Sequence, residues 1–210
     1  MQIGPNYVYK CTNCGNILVN GSLESGNSFG ATIYSDGKVI SPMLEQFPNL
    51  TKCTNCNTFL WLNQLKEIGT YEWNDNNITE WDRADRAPFL TIKDYDEAIN
   101  KRIAKNKEEE LFIRQEMWWA YNDRVREGQE IFEDKDDELR WFNNIKILQT
   151  LFDNTDINQN IMIAETYRNL GEFDTCKNII QNIHNDNINW LKDIFVSECD
   201  NKNRWVIELN

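Results

Sequence analysis

Short alternating runs occupy the first third of the chain, and a helical period takes over after it. Tyr7, Val8, Tyr9 and Lys10 alternate, positions 16–19 form a second run, and 58–62 close the region on an apolar stretch of strand length. Between them Ser35-Asp36-Gly37 separates the runs 28–34 and 38–41, an Asp-Gly turn signal that predicts a tight hairpin. Pro42 and Pro48 bracket an irregular stretch. Positions 63–91 carry Gly69, a polar cluster at 74–77 and Pro88, with Trp73 and Trp81 among them. Aromatic residues in a connector need a surface to pack on, so this stretch reads as an ordered linker.

From Asp94 onward Tyr95, Ala98, Ile99 and Ile103 share one side of a predicted helix that ends or kinks at Asn106. The stretch 108–127 is the most apolar helix of the chain, with Leu111, Trp118 and Val125 on one stripe and Ile113, Met117 and Tyr121 on the next. Glu109, Glu116 and Asp123, seven apart, mark its narrow solvent strip, and Gly128 supplies its C-cap. Further helices are predicted over 136–152, where Trp141, Ile145, Leu148 and Phe152 recur, over 157–170, and over 187–199.

Two near-identical tetrads punctuate the β region: Cys11-Thr12-Asn13-Cys14 and Cys53-Thr54-Asn55-Cys56. Together they offer four thiolates, a ligand set that suits tetrahedral zinc, with iron in a four-sulfur site as the competitor for the same atoms. Gly15 and Asn57 follow the hooks, the residue types that best tolerate the left-handed backbone through which main-chain amides turn toward sulfur. A site closed by four cysteines supports folding and leaves no position for substrate. Residues 1–62 therefore read as a zinc ribbon with an enlarged hairpin insertion.

Composition narrows the function. The 210 residues carry a net charge of −12, unevenly spread: residues 1–70 hold four Lys and four acids, while 71–210 hold 18 basic against 30 acidic side chains. Neither part offers the basic surface that phosphate backbones require, which argues against nucleic acid as a partner. The longest apolar runs fall far short of the roughly 20 residues that span a bilayer. A start lacking both a basic segment and an apolar centre points to the cytoplasm, where C-x-x-C pairs serve as metal ligands more often than as disulfides. His184 is the only histidine, and no Gly-rich phosphate loop or Ser/His/Asp grouping is present, so acid/base and nucleophilic catalysis have little to work with. Cys176 and Cys199 read as small core residues, and Trp118-Trp119 as core packing in preference to a peptide anchor.

One stretch of the helical part resembles a known repeat. Ala164, Tyr167, Gly171, Phe173 and Cys176 stand at the spacing of the small residue, aromatic, turn glycine, aromatic and small residue in the middle of a tetratricopeptide repeat, with Cys176 in a place usually held by Ala. Asn160 stands where the first-helix aromatic belongs, and the C-terminal Pro of the motif is missing. A zinc ribbon followed by such helices resembles small bacterial proteins of no assigned function. The resemblance implies an α+β chain: a small N-terminal β zinc ribbon over 1–62, an ordered linker over 63–91 and an all-α, tetratricopeptide-like part over 92–210. The expected function is that of a non-catalytic cytoplasmic adaptor that binds protein. The alternatives are an enzyme or enzyme subunit with its site in the loop 21–29, whose polar groups are Ser22, Ser25 and Ser28, and a nucleic-acid-binding ribbon with an acidic helical tail.

Overall fold

The computed structural model describes residues 1–72, 81 and 83–209. Trp73 and the polar cluster at 74–77 lie outside the described residues. The strands are β1 (Gln2–Ile3), β2 (Asn6–Lys10), β3 (Ile17–Asn20), β4 (Leu23–Ser25), β5 (Thr32–Ile33), β6 (Val39–Ile40), β7 (Leu50–Lys52), β8 (Phe59–Trp61), β9 (Gly69–Tyr71) and β10 (Asp85–Arg86). The helices are α1 (Ile92–Asn100), α2 (Lys107–Arg126), α3 (Lys135–Leu151), α4 (Ile157–Asn169), α5 (Phe173–Gln181) and α6 (Asn189–Asp200). The chain is thus a mixed α+β protein with small sheets at its N-terminal end and a helical C-terminal part. It divides into two compact units, one of residues 1–31 and 40–94 and one of 32–39 and 95–210.

In the first unit β2 lies between β3 and β9, antiparallel to both, and β10 runs parallel to β3 on the far edge. Both edge strands come from the stretch that reads as a linker in sequence. That stretch completes the sheet because a two-stranded ladder leaves two rows of amides unpaired, and β9 and β10 pair them. Trp81 covers the sheet edge at Gly69, where an added Cβ would come within 2.2 Å of its ring. Buried Leu18, Leu60, Leu62 and Ala87 form one cluster with Cys11 and Cys53, and Val8 and Val19 are buried beside each other on neighbouring strands. A second hairpin, β7 with β8, carries the second hook, and β7 is a strand that the pattern before Cys53 does not announce. Thr51 donates its hydroxyl to the Pro88 carbonyl at 2.7 Å, and Lys52 pairs with Asp94 at 2.6 Å. These bonds tie the connector back to the hairpin.

The helical unit contains a segment that sequence assigns to the ribbon. In the hairpin insertion, residues 32–39 are built into the helical unit, with Ser35 and Asp36 fully buried. Asp36 pairs with Arg126 and accepts from Asn122 at 2.7 Å, while its carbonyl accepts from the Trp119 indole at 3.0 Å. The insertion and α1 together explain a second departure from expectation. Glu116 and Asp123 do not form an open solvent strip, because Lys38 reaches Asp123 at 2.6 Å and Tyr95 lies against Glu116. Burial raises the Glu116 pKa, with the positive charge of Lys38 pulling it back in part.

Local signals fix the helix ends. Helix α1 stops at Asn100, and Asn106 is the N-cap of α2: its side chain accepts from the Glu109 amide at 2.8 Å while the Glu109 carboxylate accepts from the amide of Lys105, just before the cap, at 2.7 Å. Gly128 (φ 69°) and Gly171 (φ 79°) close α2 and α4 in the left-handed region. Helix α3 starts at the Asp134 cap, and Asp137 in its first turn is buried. Asp137 accepts from the Tyr121 hydroxyl at 2.7 Å, Arg124 at 2.6 Å and Arg140 at 2.8 Å. Nearby, Tyr121, Phe132, Trp141 and Trp205 make edge-to-face contacts.

Two stability measurements follow from these ends. Burial alone would raise the Asp137 pKa, but the hydrogen bonds from Tyr121, Arg124 and the Glu133 amide outweigh it and hold the carboxyl below its ordinary value. A depressed folded pKa stabilises the protein above the unfolded pKa of about 3.9 and loses that contribution as pH falls through the folded value. The melting advantage of wild type over Asp137→Asn should therefore be full at neutral pH and shrink below about pH 4; a gap independent of pH would show that the carboxylate charge contributes nothing. At Gly171 an added Cβ meets only the Arg204 side chain at 3.7 Å, so conformation, not space, decides the outcome. Thermal melts should rank Gly171→Asn close to wild type and Gly171→Val about 1–2 kcal/mol lower, since β-branching tolerates positive φ poorly.

Candidate metal centre

Each hook is the loop of a hairpin, and the two loops are built alike. β2 delivers Cys11, whose amide donates to the Asn16 carbonyl at 2.8 Å and whose carbonyl accepts from the Gly15 amide at 3.0 Å. β7 delivers Cys53, whose amide donates to Thr58 at 2.9 Å and whose carbonyl accepts from the Asn57 amide at 2.9 Å. Gly15 (φ 76°) and Asn57 (φ 57°) take the left-handed backbone that the sequence places there. These bends turn the chain so that both cysteines of a hook face the same point.

The four sulfur atoms lie within 4.8 Å of one another. Cys11 Sγ stands 3.6 Å from Cys56 Sγ, and Cys14 Sγ 3.6 Å from Cys53 Sγ, so the close pairs run between the hooks. A tetrahedron with metal–sulfur bonds of about 2.3 Å has edges of about 3.8 Å, close to these separations. The four cysteines are near enough to bind one metal ion, and four protein ligands fill a tetrahedral shell. Such a centre can hold two hairpins together; it has no open position for a reacting group.

The hooks also bond to each other through their middle residues. Asn55 of the second hook hydrogen-bonds the Cys14 sulfur and lowers its pKa; Thr58 and then Asn13 of the first hook do the same for Cys56, which falls to about 5. Cys11, in contrast, is buried, and desolvation pushes its thiol up to about 11. Hydrogen bonds thus favour the thiolate forms of Cys14 and Cys56, whereas desolvation opposes that of Cys11. Outside this ring, the Thr54 hydroxyl donates to Asp85 at 2.5 Å and accepts from the Asn16 amide at 3.1 Å, which anchors the second hook to β10 and to the first hook. The near-identity of the two tetrads, Thr-Asn included, is the sequence signal for these supporting residues.

The other singled-out residues do not join a site. Ser22 donates to the Pro5 carbonyl at 2.6 Å, and Ser25 and Ser28 are exposed. His184 is exposed on the segment after α5. Trp118 is fully buried with its indole donating to Asn169 at 2.8 Å, whereas Trp119 lies half-buried against the hairpin tip. Cys176 and Cys199 are both buried in the helical unit. The network of Asp36, Arg126, Glu165 and Arg168 has no signal in the sequence, because charged residues there read as surface. Among the described residues no helix is long and apolar enough to cross a membrane. Compared with known proteins, the chain matches no family model, no curated protein and no solved structure.

Proposed function

We propose that the protein is a non-catalytic adaptor of the cytoplasm, in which a structural zinc ion held by Cys11, Cys14, Cys53 and Cys56 fixes the N-terminal unit and the helical unit binds a protein partner. The observation that carries the structural-metal part of this reading is the closed set of four sulfurs within 4.8 Å on two matching hairpin loops. Zinc is preferred over iron because a redox-inert ion suffices for a centre that only holds hairpins together, and reduced thiols suit a cytoplasmic setting. Tetratricopeptide-like packing is supported at one place: Ala164 and Cys176 are fully buried where α4 meets α5, Gly171 makes the turn, and Tyr167 and Phe173 pack against the same cluster.

A binding face is supported by α3, where Leu139, Phe142 and Ile147 are exposed. Leu139 and Ile147 border, with Ile99 and Met117, a cavity of about 410 Å³ whose polar lining includes Asp96 and the Arg140 that pairs with it at 3.2 Å. Cross-linking of the full chain in native lysate should capture a protein through this face. Leu139→Glu with Ile147→Glu should cut its recovery tenfold or more, the effect of losing about 1.4 kcal/mol, without changing zinc content or melting temperature. Unchanged recovery by the double variant would remove this face from the proposal.

A further inference from the structure

Where α1 passes into α2 the sign of the chain reverses locally. Residues 101–107 hold Lys101, Arg102, Lys105 and Lys107 and no acid, within a helical part in which acidic side chains outnumber basic ones. A cavity of about 340 Å³ opens beside this run. Ala98, Ile99 and Ile113 give it an apolar wall, and Ala98 and Ile113 are fully buried, so that wall is set by the core. Its charged groups are Arg102, Arg114 and Glu110, which leaves the lining with one positive charge in excess.

Arg114 is only 6 % exposed, yet its guanidinium is short of partners. Nε donates to Glu110 Oε1 at 2.9 Å, Nη1 reaches Asn144 Oδ1 at 3.4 Å, and Nη2 has no partner among the described residues. Nη2 is also not one of the sealed polar atoms, so the free end of the fork opens on a cavity. Arg114 borders both this cavity and the one beside α3, but only here does a second arginine join it. Arg168, also buried, shows what full satisfaction looks like: its Nε, Nη1 and Nη2 all donate. A buried cation costs free energy unless it is paired, and the one carboxylate on Arg114 belongs to Glu110, whose side chain is 39 % exposed and shares its charge with water. The Arg102 side chain makes no hydrogen bond or ion pair among the described residues, whereas Lys101 beside it pairs with Glu97 at 2.7 Å.

We propose that Arg102 and Arg114 form a binding site for a small organic acid, a monocarboxylate whose oxygens accept from the two guanidinium groups and whose short hydrocarbon chain lies on Ala98, Ile99 and Ile113. Planar guanidinium donors match a carboxylate, and the second anion supplies the compensation that Glu110 alone leaves incomplete. A concave site of a few hundred Å³ with an apolar wall and few polar groups suits a small molecule. A phosphate dianion fits worse, because Glu110 repels its second charge and the apolar wall offers it nothing. The site needs neither the zinc centre nor the exposed face of α3.

The test is calorimetric titration of the full-length, metal-loaded protein at neutral pH and low ionic strength, with hexanoate as the probe. Hexanoate should bind saturably with a Kd of about 1 mM or tighter. Acetate, which brings the charge without the chain, should bind about tenfold more weakly or worse, and hexanamide, which brings the chain without the charge, should not bind. Arg102→Gln, a change at an exposed position, should weaken hexanoate about fivefold or more without moving the melting temperature. Arg114→Gln, checked for folding by its melt, should abolish binding, and Glu110→Gln should tighten it by removing the competing carboxylate. No saturable heat with hexanoate overturns the proposal; so does hexanoate that binds no better than acetate or hexanamide, or an affinity unchanged by Arg102→Gln. Inorganic phosphate binding more tightly than hexanoate would make the pair a phosphate site, and a leucine-ending tetrapeptide binding more tightly would assign the carboxylate to a polypeptide end; either result overturns it as well.

Discussion

Removing the metal should unfold the N-terminal unit and leave the helices standing. Cys53 is fully buried and Cys11 nearly so, and they pack with Leu18, Leu60 and Leu62 in the cluster that holds this unit together. Its strands are two to five residues long, too short for a ladder alone to carry. A four-cysteine zinc centre supplies on the order of 10 kcal/mol to the folding of such small units, so its loss outweighs any single side-chain substitution. Cys53→Ser should yield protein without stoichiometric metal, with the strand signal gone and the Thr54–Asp85 tether lost. Wild-type protein should contain about one zinc per chain by elemental analysis and lose it to a strong chelator. The helical circular dichroism should persist, because α2 to α6 have cores of their own around Trp118, Trp141, Ile180 and Phe195. The tip of the hairpin insertion should persist with them, since Ser35 and Asp36 are bonded within the helical unit. Protein that is metal-free, folded and strand-rich would end the metal reading; helical signal that disappears in step with the zinc would mean that the two units fold as one.

The parts of this architecture legible in sequence are those in which a residue's chemistry does not depend on distant partners. Cysteine spacing announced the hooks, and Gly15 and Asn57 announced the left-handed turns, because both follow from the local chain. Helix periods were long enough to place α2 to α4 and α6 within about two residues of their ends. Besides β7, three things were hidden. β9 and β10 are too short to show a period, and they are strands only because β2 and β3 offer free edges. Asn106 has the same identity as a cap or as a break, and the Glu109 that distinguishes the two lies three residues on. Ser35-Asp36-Gly37 reads as a tight hairpin turn and no more, since nothing local says that Arg126, Asn122 and Trp119 wait for it. The third case is general: burial of a charge is a property of a pair, and a pair separated by ninety positions leaves no trace in a window.

That hidden network should be the most sensitive place in the helical unit, and Arg168 its centre. Arg168 and Glu165 have fully buried side chains. Arg168 Nε donates to Glu165 Oε2 at 2.8 Å and Nη2 to Glu165 Oε1 at 2.6 Å. Nη1 donates to the carbonyls of Asn203 and Trp205 at 2.8 and 2.9 Å, which pins the C-terminal segment. Ser35 joins the cluster by donating to Glu165 at 2.8 Å and accepting from the Ile207 amide at 3.1 Å. Burial pushes the Glu165 pKa up, and the Arg168 charge opposes that shift. Arg168→Met removes this opposition and strands a buried carboxylate and two carbonyls, for an expected loss of about 3–5 kcal/mol. Glu165→Leu should be comparably damaging, because it leaves the guanidinium uncompensated. Combining them removes both charges, so the double variant should be more stable than the sum of the single losses predicts, by about 1–3 kcal/mol. It should still fall short of wild type, since the Asn203 and Trp205 carbonyls and the Ser35 hydroxyl stay buried without their donor or acceptor. Denaturant unfolding of the four proteins at neutral pH gives the cycle directly. Single variants within about 1 kcal/mol of wild type, or strictly additive losses, would mean that the pair is hydrated and that this network does not hold the hairpin tip and the C-terminal segment in place.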